Sequence, residues 1–110
     1  MEQDNLFNNI TLELRRGVIV LAVLNHLQKD QYGYSILKSL SEQGLEVDQG
    51  TLYPLLRRLE GQGLLQSSWR VEGDRPRRYY VISPTGASLL ERMKDEWNRL
   101  VETLNRMLSD

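Results

Sequence analysis

Hydrophobic and polar positions divide this chain into stretches of helical period, then a stretch of period two, then one long helical seam. The strongest pattern lies between Asp48 and Leu65, where Leu52, Leu55, Leu56 and Leu59 fall at i, i+3, i+4 and i+7, one stripe of a helix. At about 100° per residue the opposite face gathers Gly50, Tyr53, Pro54, Arg57 and Gly61. Gly63 followed by Leu64 supplies a left-handed glycine stop with an apolar residue packing back. The start of this helix is open between two caps. Asp48 places Pro54 deep enough to leave the Gly50 carbonyl without its partner. Thr51 places Pro54 in the first turn, where it costs little.

Upstream, a helix is expected from Ile10 to about Gln28, with Leu14, Val18, Leu21, Val23, Leu24 and Leu27 spread over more than one face. The Val18-Ile19-Val20 segment would suit a strand as well, and its length and flanking residues favour helix. A helix apolar on most sides in so small a chain points to burial against a second subunit. Residues 1–9 are expected to be frayed. Asp30 is placed to cap a second helix, Gln31 to Gln43, with Ile36, Leu37 and Leu40 inward and Gly44 as its stop. Two short helices joined by so tight a turn form a helix-turn-helix.

After Leu65 the period becomes two. Gln66–Val71 and Arg77–Ile82 are β-prone runs, with Glu72-Gly73-Asp74-Arg75-Pro76 between them as the turn. A helix-turn-helix followed by a basic hairpin is a winged helix. Ser83-Pro84 then opens the last helix, serine as cap and proline at the first position. Along it Leu90, Met93, Trp97, Leu100, Leu104 and Met107 are spaced by threes and fours, a heptad seam. From Pro84 to Met107 this helix spans roughly 36 Å, more than the rest of the chain can cover, so its distal half is expected to find cover on another chain. The expected fold is therefore mainly α with a small β-hairpin. A winged helix-turn-helix DNA-binding domain occupies residues 1–82, and a C-terminal dimerisation helix occupies residues 83–110.

Charge sharpens this picture. The net charge is −1, which alone argues against a nucleic-acid binder. Residues 57–80, however, hold six arginines against three acids, a net of +3 on a body of −4. That is an electrostatic footprint in one place. There is no cysteine and only one histidine, His26, so disulfides are excluded and a Cys/His zinc site is not expected. No nucleophile–base pair or phosphate-cradling glycine loop is present, and Gly61-Gln62-Gly63 is a helix stop. The chain is read as a non-enzyme without cofactor or metal. No signal segment or bilayer-length apolar run is visible, so a cytoplasmic bacterial protein without membrane contact is expected.

Tyr32-Gly33-Tyr34-Ser35-Ile36, the block from Gly50 to Glu60, Gly63-Leu64-Leu65 and Arg77-Arg78-Tyr79-Tyr80 together resemble the PadR family of bacterial transcriptional regulators. The likeness runs from about Gly17 to Gly86. The single long helix after the wing resembles the family's short subgroup, not the founding type with its phenolic-acid effector. The resemblance implies a homodimeric repressor of double-stranded DNA, released from a near-palindromic operator by a small molecule. Thr51, Tyr53 and Arg57, with Gly50 and Pro54 beside them, would enter or border the major groove. Tyr32, Arg75, Arg77 and Arg78 would contact phosphate or the adjacent minor groove. Some short members bind flat, drug-like molecules at the dimer centre through an aromatic of the last helix. Trp97 lies where that aromatic would be, with Glu96 and Met93 as companions for a planar aromatic effector. The alternative is a winged-helix dimer serving as a protein-interaction module without DNA binding.

Overall fold

The leucine stripe of the 48–65 stretch does what its spacing requires: Leu52, Leu55, Leu56 and Leu59 are all buried. They form one wall of a single core. In the computed structural model, which describes residues 1–109, the chain runs α1 (Glu2–His26), β1 (Gln31–Tyr32), α2 (Gly33–Glu42), α3 (Gln49–Gly61), β2 (Leu65–Glu72), β3 (Arg75–Ile82) and α4 (Pro84–Leu108). The core is closed by Val23 and Leu24 from the end of α1 and Leu27 just after it, Ile36 and Leu40 from α2, Leu65 and Tyr80 from the hairpin, and Leu90 from α4. This is the winged helix-turn-helix with a long final helix that the periodicities indicate.

The structure differs from the sequence reading in four places. The first helix begins at Glu2 instead of Ile10 and takes in residues expected to be frayed. Glu2 and Asp4 sit in its first turn, where negative charge complements the helix dipole. Asp30 caps nothing; its carboxylate pairs with Arg70, and α2 starts two residues later than expected without a side-chain cap. The residues displaced from that helix, Gln31 and Tyr32, instead pair antiparallel with Tyr80 and Tyr79 as a third strand, in the order β1-β3-β2. The Tyr32 and Tyr79 rings meet edge to face at 5.6 Å between centroids, which favours pairing over another helical turn. Finally, the strands run further than Val71 and Arg77, and the turn shrinks to Gly73-Asp74. Gly73 takes φ 63° as the first residue of a two-residue loop.

Other expectations hold. Of the two possible caps for α3, Asp48 is the one used, and Pro54 lies inside the helix. Gly63 adopts φ 79°, and Leu64 N–H returns to the Leu59 carbonyl at 2.9 Å, closing the glycine stop. Ser83 caps α4 by accepting from Gly86 N–H at 2.9 Å, with Pro84 at the first position.

Ser83 also fixes where α4 departs. Its hydroxyl donates to the Gly63 carbonyl at 2.6 Å, and its N–H donates to the Leu64 carbonyl at 3.0 Å. Gly86 then passes so close to Leu64 that a Cβ would overlap the Leu64 carbonyl oxygen. Gly86→Ala should therefore destabilise the fold by about 1–3 kcal/mol, the usual range for forcing an atom into a packed site. Urea unfolding monitored by circular dichroism measures it, and an unchanged midpoint would refute the close approach.

Candidate nucleic-acid interface

Helix α3 presents a core face, an outer ridge and two flanks. Its outer ridge is low: Gly50, Pro54 and Gly61 carry little bulk, and Arg57 is the one long side chain among them. At its N-terminus the Asp48 carboxylate accepts from Thr51 N–H at 2.8 Å. That hydrogen bond holds the Asp48 carboxyl below its ordinary carboxylate pKa. Pro54 cannot donate to the Gly50 carbonyl four residues back. Both Gly50 and Pro54 are exposed, so water can satisfy that carbonyl, and the proline is tolerated.

The wing stands beside this ridge, and between them lies an open cleft of about 810 Å³. Tyr32, Tyr53, Arg57, Arg75, Arg77 and Arg78 all line it. Six of the residues expected to meet DNA thus share one cleft. Gly50, Thr51 and Pro54 lie outside its lining, further round α3. Sequence reasoning missed two contributors. Trp69 lines the cleft from β2 and is exposed; the readable signal was an aromatic in a polar strand beside Arg70. Gly33 makes room for Tyr53, because a Cβ there would overlap the Tyr53 ring. The glycine between Tyr32 and Tyr34 was legible as a motif, but its reason was not.

The arginines of the basic stretch are not equivalent. Arg78 lies 2.8 Å from Glu60 and donates to Ser67 Oγ at 3.0 Å, while Ser67 donates to the other Glu60 oxygen at 2.5 Å. This three-way network ties both strands of the wing to the C-terminal turn of α3. Arg77 lies 4.5 Å over the Tyr32 ring and 3.8 Å from Glu72. Arg70 covers Tyr79 at 4.2 Å and pairs with Asp30. The Tyr79 hydroxyl donates to Glu72, which raises its pKa above the ordinary tyrosine value. Arg57, Arg58 and Arg75 have no carboxylate within 4.0 Å among the described residues. Those three guanidinium groups are the ones open to an outside anion.

A basic cleft beside a low-ridged, exposed helix suits a polyanion with a grooved surface. The comparisons with known proteins agree. Residues 20–92 match the model of the transcriptional regulator PadR-like family. The chain belongs to that PadR-like family. It is 39% identical over 95 residues to the transcriptional regulator Rv3488 of Mycobacterium tuberculosis, covering 86% of this chain and 85% of that protein. Among solved structures it is similar to a PadR family transcriptional regulator from Eggerthella lenta, with TM-score 0.90 and 41% identity. That match covers 98% of this chain and 96% of the other. A PadR family transcription regulator from Clostridium difficile matches with TM-score 0.75 and 31% identity, over 82% of this chain and 97% of the other. This PadR-like chain is thus a DNA-binding transcriptional regulator, and its relatives are regulators and not enzymes. Among the described residues no His, Asp and Glu cluster could hold a metal, and no helix is long and apolar enough to cross a membrane.

The residues picked out for an effector are arranged differently. Met93 and Glu96 line one shallow groove on α4 with Arg92 and Arg99, and Glu96 pairs with Arg99 at 3.0 Å. Trp97 does not line that groove and is 42% exposed.

The Asp48 cap generates a pH-dependent expectation. Its pKa is lowered on folding, so its ionisation stabilises α3 above the ordinary carboxylate pKa. That contribution is lost as pH falls through the lowered value. Asp48→Asn caps in one charge state throughout. The stability difference between wild type and Asp48→Asn should therefore shift against wild type on acidification from about pH 7 to about pH 3. Chemical unfolding across that range measures the difference, and a constant gap would contradict the linkage.

Proposed function

We propose that this PadR-like regulator is a homodimeric repressor that binds a near-palindromic operator and is released by a planar aromatic effector. The observation that carries the DNA face is the pairing of a low-ridged helix with unpaired Arg57 and Arg75 across one cleft. In this reading Gly50 and Pro54 let the helix approach base edges closely, and Thr51, Tyr53 and Arg57 enter or border the major groove. Arg75 at the wing tip takes phosphate, helped by Tyr32 and Arg77. Arg78 is already held by Glu60 and Ser67, so its contribution is to hold the wing at its angle to α3.

Support for a dimer comes from where apolar surface is left over. Leu90, at the start of the α4 seam, is 1% exposed, whereas Leu100 and Leu104 further along are 50% and 48% exposed. Leu6, Phe7, Ile10 and Leu14 leave a second bare stripe on α1. Monomers seldom leave such contiguous apolar faces open, and two-fold pairing through them would bury both stripes. Half-sites would then lie about one helical turn, ~34 Å, apart.

A gel shift with the DNA upstream of the protein's own gene, at increasing salt, tests the reading. Wild type should bind with strong salt dependence. Leu100→Asp with Leu104→Asp should sediment as a monomer and lose tight binding, because two buried charges would oppose each other across the seam. Arg57→Gln should relax base preference. Salt-independent or absent binding by a wild-type dimer would favour the protein-interaction alternative.

The effector reading rests on Trp97, a bulky half-open residue at a seam position, with Met93 and Glu96 one turn away or less. Two-fold symmetry would bring both indoles near the axis, where they could sandwich a flat ligand. In a Trp69→Phe background, planar dyes should quench Trp97 fluorescence to saturation and weaken operator binding about 5–150-fold. Failure of every planar dye to quench Trp97, or quenching that leaves operator affinity untouched, would remove this part of the proposal.

A further inference from the structure

The contacts proposed above lie on the ridge of α3 or on its wing side, except Thr51, which borders the other flank. The opposite flank holds a second cationic site. At about 100° per residue, Tyr53 leans from the ridge toward the wing, while Thr51 and Arg58 lean the other way, toward α1. There a small groove of about 260 Å³ separates α1 from α3, with Arg16 and Arg58 at its rim, Thr51 and Pro54 along one side, and Ile19 and Leu55 below. Arg16 and Arg58 are both exposed, and among the described residues neither has a carboxylate within 4.0 Å. The neighbouring Arg15 is used differently, donating to the Glu46 carbonyl. Two like charges lining one groove repel each other unless an anion joins them. The groove is smaller than the roughly 300–1,000 Å³ of drug-sized ligand sites, so it suits a compact anion.

Groove dimensions say which anion. The B-DNA major groove is about 12 Å wide, and an α-helix with its side chains is about 10–12 Å across. A helix lying there has a phosphate strand close on each side. The wing, with Arg75, accounts for one strand. We infer that Arg16 and Arg58 form a second phosphate clamp, gripping the strand across the major groove from the wing. The inference rests on the DNA-binding reading and extends it to a helix, α1, that has no place in the helix-turn-helix or the wing. It also gives α1 two tasks: its N-terminal half carries the bare apolar stripe, and Arg16 reaches toward DNA from the same helix. Any change in how two copies pack along α1 would then move a phosphate contact directly.

The test measures the salt dependence of operator affinity for the full-length dimer. Arg16→Gln and Arg58→Gln should each flatten the log affinity against log salt plot by about 1.8, since a dimer loses two phosphate contacts at about 0.9 each. Base preference should be unchanged. Arg16→Lys and Arg58→Lys keep the charge and should restore most of the slope, which a merely structural role would not do. A second measurement changes the DNA instead of the protein, and its first arm uses wild type alone. Single methylphosphonate linkages, which neutralise one phosphate, should weaken wild-type binding on the strand opposite the wing contact and should not weaken Arg16→Gln further. Unchanged slopes in both glutamine variants, or lysine variants as impaired as glutamine ones, overturn the clamp while leaving the DNA-binding reading in place. A wild type that shows no salt-dependent binding overturns both.

Discussion

Ser83 is the joint on which the arrangement of this molecule depends. One residue closes the end of the wing, caps α4 and holds the stop of α3, through its Oγ and N–H to Gly63, Leu64 and Gly86. It is also the one buried polar side chain among the described residues, and a buried hydroxyl is stable only with its hydrogen bonds made. Because donor and acceptor roles are both filled, the hydroxyl orientation is fixed. Gly86 lets the first turn of α4 press onto Leu64, and Leu90 then enters the common core. Helix α3 and the long helix are thus joined end to end through the Ser83 hydrogen bonds, although they are separated in sequence by the whole wing.

The basic stretch shows how a charged surface can be divided between architecture and binding. Exposed ion pairs contribute little to stability, commonly 0–1 kcal/mol, so the Arg70–Asp30 and Arg77–Glu72 pairs do not hold the fold together. Their geometry has a different effect: each stacks its guanidinium on a tyrosine and thereby stiffens the sheet face around Tyr32 and Tyr79. Arg78 with Glu60 and Ser67 is more shielded and braces the wing against α3. Of the cations left without partners, Arg57 and Arg58 project from a helix packed into the core, while Arg75 sits at the exposed wing tip. Preorganised side chains lose less freedom on binding than loose ones do.

Much of this was legible in the sequence, and the omissions have physical causes. The α3 stripe, the glycine stop at Gly63 and the Ser83-Pro84 start were readable because each rests on contacts within a few residues. Strand β1 was not, because Gln31 and Tyr32 become a strand only through Tyr79 and Tyr80, some forty-eight residues away. Asp30 looked like a cap for the same reason: its actual partner, Arg70, is distant in sequence. Residues 1–9 looked too polar for a helix, yet Leu6, Phe7 and Ile10 continue the exposed apolar stripe of α1. In the basic stretch, composition counted six arginines as one patch. Pairing, which only the fold reveals, separates those held by Glu60, Glu72 and Asp30 from those left open. Arg16 was invisible as a candidate because it lies outside that patch and reaches α3 only when α1 is laid across it.

Both long helices border α3. From α4, the Ser83 joint meets its C-terminal end; from α1, Arg16 and Ile19 line the groove beside its N-terminal half, and Ile19 shares the core with Leu55. A rearrangement between the two long helices would therefore change the surroundings of α3 at both of its ends. On the proposed operator, with half-sites about 34 Å apart, a shift of a few ångströms in each copy of α3 would be enough to take side chains out of register with base edges spaced 3.4 Å along the duplex. The coupling required for regulation is small, about 1–3 kcal/mol. An effector bound along α4 would not have to unfold or remake any part of the winged helix. It would need only to prefer one packing of the long helices over another, and the α3 connections would carry that preference to the DNA face.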